Sequence, residues 1–378
     1  MNRIIIGTNN FGLGPVGKVS SIINSMKDEY EWFACGNAFD LNIFKEGIFK
    51  DTLFTKDKNL IEEFVKRYDI KFSIVVLDVE LSKILMSLGV AVIFVDSLPF
   101  MWTQADIDEG LLPLDADVYC AQKCINLTEN SKKVLSQINN LKWVNPIQNS
   151  SDNTYRPIND DYVLINVGGL HSPIGNGESY IETVLIPVIN VFNSMNKKIV
   201  ITGGTNAVNS INRLLSDKNI DMNNIIITTM KQSDFLSSVN NSELFLTSPG
   251  LTTIYETSSL KKPTILLPPQ NLSQFYNIEY AKKIIDKFKY LNWDTSKLNL
   301  EYLNEILDKG ETYVVEKIYE YITELVGTNY SNEFEIKIKD CLNGSYFDKI
   351  ESDFIIDGNG VADIKNILEE LVKEKNNE

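Results

Sequence analysis

Arginine and histidine are scarce in this sequence. The 378 residues include one histidine, His171, and four arginines. Lysine and arginine together number 36 against 51 aspartates and glutamates, which gives a formal net charge of -15. Binding across a broad nucleic-acid or anionic-membrane surface needs positive charge, so this composition argues against both partners. We therefore expect any phosphate ligand to be held mainly by helix N-termini and hydroxyl groups rather than by arginine side chains.

Cysteine motifs and long apolar runs are also missing. The four cysteines match no zinc or redox spacing, which favours scattered free thiols. No run is as apolar and long as a membrane span requires, and the opening MNRIIIGTNN has no secretory signal pattern. We therefore expect a cytoplasmic protein without a membrane span. The oligomeric state cannot be inferred from the sequence.

What the sequence has is an alternation of short β-rich runs with helical stretches, and the alternation occurs twice. The predicted strands are 3–7, 32–36, 72–78, 91–96 and 118–122, then 162–169, 198–204, 224–230, 244–250 and 263–269. Residues 144–161 separate the two sets of strands. This stretch is polar and its apolar residues do not recur at helix or strand spacing, which indicates a linker. The pattern predicts an α/β protein with two tandem Rossmann-like, doubly wound domains. We assign 1–150 and 151–330 to these domains and 331–378 to a C-terminal extension whose terminal helix packs back on the first domain.

The segment SPGLTTIYE, residues 248–256, carries the clearest chemical pattern. Ser248 and Gly250 form a turn at the end of a buried strand, and a helix is predicted to start near Leu251. The first N–H groups of a helix lack intrahelical partners and favour a diphosphate. Thr252 and Thr253 add hydroxyl donors, and Glu256 lies one helical turn after Thr252, where its carboxylate can accept hydrogen bonds from a ribose.

Further polar and glycine residues follow other strand ends. The amides of Gln270, Asn271 and Gln274 follow the next strand and can bind sugar hydroxyls. Glycines at strand ends allow close approach of a ligand to the backbone, which applies to Gly169 and Gly204. A glycine-rich loop after the first strand, which includes Asn10, Gly12 and Gly14, fits either a crevice-lining acceptor loop or a loose dinucleotide fingerprint.

Residues 245–281 resemble the donor-binding segment of the two-Rossmann-domain (GT-B) glycosyltransferases. The similarity is to the branch of the lipid I N-acetylglucosaminyltransferase and the UDP-glycosyltransferases. Gly250, Thr252, Thr253 and Glu256 match its diphosphate and ribose motif, and the Pro-Gln at 269–270 with Gln274 matches its sugar motif. The resemblance implies two domains that face each other across a cleft.

The same resemblance implies an enzyme of the hexosyltransferase type. The reaction would be an inverting, metal-independent transfer from a nucleoside-diphosphate sugar, with UDP as the commonest nucleotide and no further cofactor. The nucleobase of the donor would lie near residues 228–235, which include Met230. A small-molecule or glycan acceptor would bind the first domain. Many members carry a catalytic histidine in the glycine-rich loop, where this chain has Asn10 and no histidine.

Asp96 and His171 are therefore the candidates for catalysis. An inverting transfer needs a base for the acceptor proton. Asp96, at the end of a buried strand, is either this base or a cap or turn residue, and Asp78, at the end of the preceding strand, is the alternative base. His171 either donates to the diphosphate or is an ordinary loop residue. Three functions stay open: a glycosyltransferase, a nucleotide-sugar hydrolase or epimerase of the same fold, and a non-catalytic nucleotide-sugar-binding partner subunit.

Overall fold

A computed structural model describes residues 1–9, 14–39, 41, 44–124, 127, 129–147, 161–168, 170, 177–260, 262–284, 289–343 and 359–377. The chain divides into two compact units. Residues 1–150 and 357–378 form the first unit, and residues 151–356 form the second. Within the described ranges, no helix has both the length and the apolar character needed to cross a membrane.

The elements of both units alternate along the chain. The strands are β1 (Arg3–Thr8), β2 (Glu31–Gly36), β3 (Phe49–Phe54), β4 (Phe72–Val76), β5 (Ala91–Asp96), β6 (Val118–Gln122), β7 (Leu141–Val144), β8 (Tyr162–Asn166), β9 (Lys198–Thr202), β10 (Ile225–Thr228), β11 (Leu244–Thr247), β12 (Thr264–Leu266) and β13 (Lys289–Tyr290). The α-helices are α1 (Gly14–Met26), α2 (Lys58–Tyr68), α3 (Val79–Ser87), α4 (Gln104–Asp108), α5 (Glu129–Leu135), α6 (Gly177–Tyr180), α7 (Ile186–Ser194), α8 (Thr205–Asp217), α9 (Gln232–Asn241), α10 (Leu251–Ser259), α11 (Leu272–Ile284), α12 (Leu300–Glu305), α13 (Glu311–Glu324), α14 (Tyr330–Leu342) and α15 (Gly360–Asn377). A π-helical turn, Ile181–Leu185, joins α6 to α7, and a 3₁₀ turn spans Leu307–Lys309.

The first unit is built on a seven-stranded sheet in the order β3-β2-β1-β4-β5-β6-β7. All of its described strand pairs are parallel. Its strands are buried on both faces, as β1 illustrates: Ile4 and Ile6 pack into one hydrophobic cluster and Ile5 into the other. Such two-sided burial explains why these strands are nearly continuous runs of Val, Ile and Phe.

Helix α15 completes the core of the first unit, although it follows the whole second unit in the sequence. Its apolar residues pack with α1 and the sheet in one cluster, and they are Val361, Ile364, Ile367, Leu368 and Leu371. The Asp363 carboxylate accepts hydrogen bonds from the backbone N–H and side-chain amide of Asn145, at 2.7 and 2.8 Å. The preceding α14 belongs to the second unit.

The second unit repeats the same topology with six strands in the order β10-β9-β8-β11-β12-β13, again parallel. One hydrophobic cluster joins Leu164, Val200, Val239 and Phe245 across the sheet and α9. In both units the first strand lies at the centre, and successive strands are added first to one side and then to the other. This arrangement is the doubly wound pattern, so the predicted fold class is confirmed.

The ten strands expected from the sequence are all present, and three further strands were not expected. Several expected strands extend two or three residues beyond the observed ones; β11, for example, ends at Thr247, and Gly250 is already the N-cap of the next helix. The unexpected strands are β3, β7 and β13. β3 has the mixed sequence FKDTLF, β7 has four residues and β13 has two, so none shows a clear apolar run.

Candidate functional site

The SPGLTTIYE segment begins at the topological switch point of the second sheet. Strands β8 and β11 are neighbours, and the chain winds from them in opposite directions along the sheet. Their carboxyl ends are Asn166 and Thr247, which pair in register. In open α/β sheets, ligands bind outside the carboxyl ends of the strands at this point. Residues 167–168 and 248–250 therefore occupy the position where this fold most readily forms a binding crevice.

Hydrogen bonds hold the two strand ends together. The backbone N–H of Ser248 donates to the Asn166 carbonyl at 3.1 Å, and the Asn166 side-chain amide donates to the Thr247 hydroxyl at 3.2 Å. The Gly168 N–H donates to Asn166 Oδ1 at 3.2 Å. Asn166, which the sequence analysis did not single out, therefore sets the geometry of both loops. Its position at the end of a central strand is the signal that could have identified it.

The turn at Ser248 leads directly into helix α10, as the sequence predicts. Gly250 is the N-cap of α10, so the helix has no side-chain cap. The Gly250 N–H donates to the Ser248 carbonyl at 2.7 Å, and the Asn277 side-chain amide of α11 donates to the Pro249 carbonyl at 2.8 Å. These bonds fix the direction of α10, whose positive end points out of the sheet edge where an anion can approach.

Three helices of the first unit begin with a side-chain cap, whereas three helices of the second unit begin without one. In the first unit, α2, α3 and α4 begin with Asp57, Asp78 and Thr103, whose side chains accept from the first-turn N–H groups. In the second unit, α8, α9 and α10 begin with Gly204, Lys231 and Gly250, and no described side chain caps them. α9 has Asp234 in its first turn. At α8 and α10, neither a capping side chain nor a first-turn carboxylate compensates the positive end of the helix dipole, which suits a site for a phosphate-bearing ligand.

The predicted ligand groups of α10 differ in exposure. Thr252 and Thr253 are half-buried at the start of the helix. Leu251 is buried, and so is Glu256, whose side chain is 6% exposed. The threonines therefore lie at the surface of the predicted diphosphate site, while the carboxylate lies deeper in the second unit. The predicted ribose contact by Glu256 stays a prediction.

The loop after β12 brings Gln270, Asn271 and Gln274 together. Gln270 donates from its side-chain amide to the Ser248 hydroxyl at 2.8 Å, so this loop and the Ser248 turn are in direct contact. Asn271 Oδ1 accepts from the Gln274 N–H at 3.0 Å and thereby caps α11. Gln274 Oε1 accepts from the Gln270 N–H at 2.8 Å. Their oxygens stabilise the loop, so the amide nitrogens of Asn271 and Gln274 are the groups left for sugar hydroxyls.

The remaining predicted donor residues divide between described and undescribed parts of the chain. Gly204 is half-buried at the start of α8. Met230 is half-buried and packs against the cluster of Leu164, Val200, Val239 and Phe245. Gly169 and His171 lie outside the described residues, as do Asn10 and Gly12 of the predicted acceptor loop. Gly14 of that loop is the first residue of α1.

Asp96, the predicted base, ends β5 in the first unit and is 0% exposed. Its Oδ1 accepts from the Leu98 N–H at 2.8 Å, and its Oδ2 accepts from Trp102 Nε1 and the Tyr119 hydroxyl, both at 2.7 Å. Burial raises its pKa to about 6, and these hydrogen bonds act in the opposite direction. The raised pKa suits a base, whereas the enclosure makes Asp96 an anchor for the loop that follows β5. Its catalytic role stays a prediction.

No protein-family model matches the chain, and no curated protein does. Among solved structures, it is similar to a Methanocaldococcus jannaschii UDP-GlcNAc 2-epimerase in complex with UDP-GlcNAc and UDP. The identity is 14% and the TM-score 0.53, over 91% of this chain and 100% of that chain. A Neisseria meningitidis UDP-GlcNAc 2-epimerase bound to UDP-GlcNAc gives 13% identity and a TM-score of 0.53, over 91% and 100%.

A Polygonum tinctorium UDP-glucosyltransferase capable of glucosylating indoxyl gives 9% identity and a TM-score of 0.52, over 91% of this chain and 99% of that chain. Identities this low show the fold alone. The chain has the GT-B fold, so the resemblance expected from the sequence is confirmed at that level. Both epimerases and a glucosyltransferase are among these neighbours, so the fold does not choose between the two reactions.

Proposed function

We propose that the protein is an inverting, metal-independent glycosyltransferase that uses a nucleoside-diphosphate sugar, with UDP as the first nucleotide to test. The observation that carries the proposal is the position of the Ser248–Gly250 turn and α10 at the switch point of the second sheet. The uncapped start of α10 would bind the diphosphate, Glu256 the ribose, and the amides of Asn271 and Gln274 the sugar. The absence of a metal in this reaction is an inference from the family resemblance.

The proposed reaction is a single displacement at the anomeric carbon of the sugar. The acceptor oxygen forms a bond to this carbon while the bond to the diphosphate oxygen breaks, and the electron pair leaves with the diphosphate. The acceptor proton passes to a general base. The positive end of α10 stabilises the negative charge that develops on the leaving diphosphate, because its N–H dipoles are already oriented before the reaction.

A binding experiment tests the proposed donor site. Thermal shift with UDP, GDP, ADP and dTDP first identifies the nucleotide, because a ligand of the native state raises the melting temperature. Calorimetry of that nucleotide is then compared between wild type and Glu256→Gln, which keeps the side-chain volume and removes the charge. We expect about tenfold weaker binding, since a charge-assisted hydrogen bond is lost.

The matched control is Glu316→Gln, an exposed position on α13, which we expect to leave the affinity unchanged. Unfolding curves of both variants show whether the fold is retained. Unaltered nucleotide affinity in a folded Glu256→Gln variant would contradict the assignment of the ribose contact.

A nucleotide-sugar hydrolase or epimerase is the second candidate, and the enclosure of Asp96 favours it. If Asp96 only anchors its loop, the first unit lacks the base proposed for the acceptor hydroxyl. The reactions are separated by incubating the protein with UDP-sugars alone and then with an acceptor panel. UDP and free sugar without acceptor indicate hydrolysis, an isomeric UDP-sugar indicates epimerisation, and UDP release that requires an acceptor indicates transfer.

A further inference from the structure

A buried polar network lies beside the Ser248 turn, and the proposed function does not yet account for it. Besides the bond between Gln270 and Ser248, the Tyr319 hydroxyl of α13 donates to Gln270 Oε1 at 3.4 Å. The Tyr180 hydroxyl, at the end of α6, donates to the Pro268 carbonyl at 2.8 Å. Tyr180 is 0% exposed and Tyr319 4%. Two helices therefore contact, through single hydroxyl groups, the loop that follows β12.

The backbone of this loop is fixed at successive residues. The Pro268 carbonyl accepts from Tyr180, the Pro269 carbonyl accepts from Trp293 Nε1 at 2.7 Å, and the Gln270 N–H donates to Gln274. A backbone bond from the Leu267 N–H to the Thr247 carbonyl, at 2.8 Å, joins the two strand ends just before this loop and the Ser248 turn. Beyond that point, the side-chain bond that joins them among the described residues is the one from the Gln270 amide. The orientation of this amide therefore helps to set how the two halves of the proposed donor site are joined.

A serine hydroxyl alone cannot decide the orientation of an amide, because it can either donate or accept. The Tyr180 hydroxyl donates to the Pro268 carbonyl, so it fixes the backbone of the loop rather than the amide itself. The Ser248 oxygen accepts from the Gln270 nitrogen, and the Tyr319 hydroxyl donates to Gln270 Oε1. The tyrosine proton directed at this atom favours the orientation in which it is the amide oxygen.

We infer that Tyr180 and Tyr319 are positioning residues of the donor site, an inference that rests on the proposed function. Tyr319 holds the Gln270 amide in one orientation and Tyr180 holds the Pro268 carbonyl, so together they fix the loop 268–271 relative to the Ser248 turn. A nucleoside diphosphate needs only the turn and α10, whereas a nucleotide sugar must contact the turn and the loop together. Loss of either hydroxyl should therefore weaken nucleotide-sugar binding more than nucleoside-diphosphate binding.

The test measures selectivity rather than stability. The variants are Tyr180→Phe and Tyr319→Phe, and the matched control is Tyr330→Phe. Tyr330 is also a buried tyrosine of the second unit, but its hydroxyl has no hydrogen-bond partner among the described residues. Calorimetry gives the dissociation constants of UDP, UDP-glucose and UDP-N-acetylglucosamine for each protein. We expect the ratio of the UDP-sugar constant to the UDP constant to rise about fivefold in Tyr180→Phe and to stay unchanged in Tyr330→Phe.

Each outcome separates the inference from the proposed function. An equal loss of affinity for UDP and UDP-sugar, or no loss, overturns the positioning role and leaves the donor site intact. If the thermal-shift screen identifies a nucleotide other than UDP, that nucleotide and its sugars replace UDP here; a wild type that binds none of the four nucleoside diphosphates and none of their sugars contradicts the proposed function and the inference with it. If Tyr180→Phe does not fold, Tyr319→Phe is the deciding variant, because the Tyr319 bond to Gln270 is longer and weaker and its loss disturbs the fold less. An unchanged ratio of the UDP-sugar and UDP dissociation constants in that variant overturns the inference.

Discussion

At the residue scale, Asp96 shows how one carboxylate couples the stability of the first unit to pH. Its pKa in the folded protein is about 6 against an ordinary value of 3.8. The folded state therefore keeps the proton at pH values where the unfolded state has lost it. The stability that this group contributes is present below pH 4 and is lost as the pH rises to about 6, by about 3 kcal/mol.

Asp96→Asn removes this titration. We expect the variant to be less stable than wild type, because an amide has one acceptor oxygen and its NH2 group must then face either the Leu98 N–H or the Trp102 and Tyr119 donors. The difference in free energy of unfolding between wild type and Asp96→Asn should be about 3 kcal/mol smaller at pH 7 than at pH 4, because wild type has lost the contribution of Asp96 at pH 7. Urea unfolding at both pH values measures this difference. Asp28→Asn, at an exposed position of the first unit, is the control. A deficit that does not change with pH would show that Asp96 does not titrate in this range.

The sequence predicts which residues lie at the strand ends, but not which of them bond to each other. Ser248 and Gln270 both follow buried strands, so both could be assigned to one edge of the sheet. Their mutual hydrogen bond depends on side-chain rotamers and on the approach of α6 and α13. Tyr180 and Tyr319 have the apolar periodicity of core residues, and nothing local in the sequence indicates that their hydroxyls reach another loop.

At the element scale, α15 supplies one wall of the first core, and its buried residues should therefore matter to that unit. Ile364 is 0% exposed, and we expect Ile364→Ala to lower the free energy of unfolding of the first unit by about 2–5 kcal/mol through lost burial and a cavity. Hydrogen exchange of the amides of β1 and α1 measures the stability of the first unit separately from that of the second unit. Asn366→Ala, on the exposed face of the same helix, should change exchange little. Equal exchange in both variants would mean that α15 does not stabilise this core.

The elements that the sequence failed to predict share a physical cause. β3 and β7 lie at opposite edges of the first sheet, and β13 lies at an edge of the second. Edge strands are covered on fewer sides, so they tolerate charged and polar residues such as Asp51 and Lys142. The apolar runs that mark the central strands are therefore weak or absent, and periodicity cannot detect them.

At the scale of the whole molecule, the proposed ligand groups of the donor belong to the second unit, whereas α15 belongs to the first. We expect the nucleotide identified above to slow hydrogen exchange in 244–256 and 266–277 while leaving β1 and α15 unchanged. Its affinity should be the same in wild type and in Ile364→Ala. Strong protection confined to the first unit would contradict the assignment of the donor site.

The repeated alternation of strands and helices was sufficient to predict two doubly wound domains, because each sheet is assembled from consecutive segments. The expected return of the last helix to the first domain did not follow from this alternation. An amphipathic helix indicates that one face is covered, but not which core covers it. Only the three-dimensional contacts of Asp363 and Ile364 with the first unit decide that.

The return of α15 to the first unit also orders events during synthesis. The ribosome releases residues 151–356 before residues 360–377, so the second unit can reach its native state while the first still lacks a wall of its core. Until translation passes Leu371, the apolar surface on α1 and the neighbouring sheet has no native cover. In a nascent chain stalled before that residue, chaperones would therefore bind the first unit, which is synthesised first, rather than the second unit, which is synthesised later.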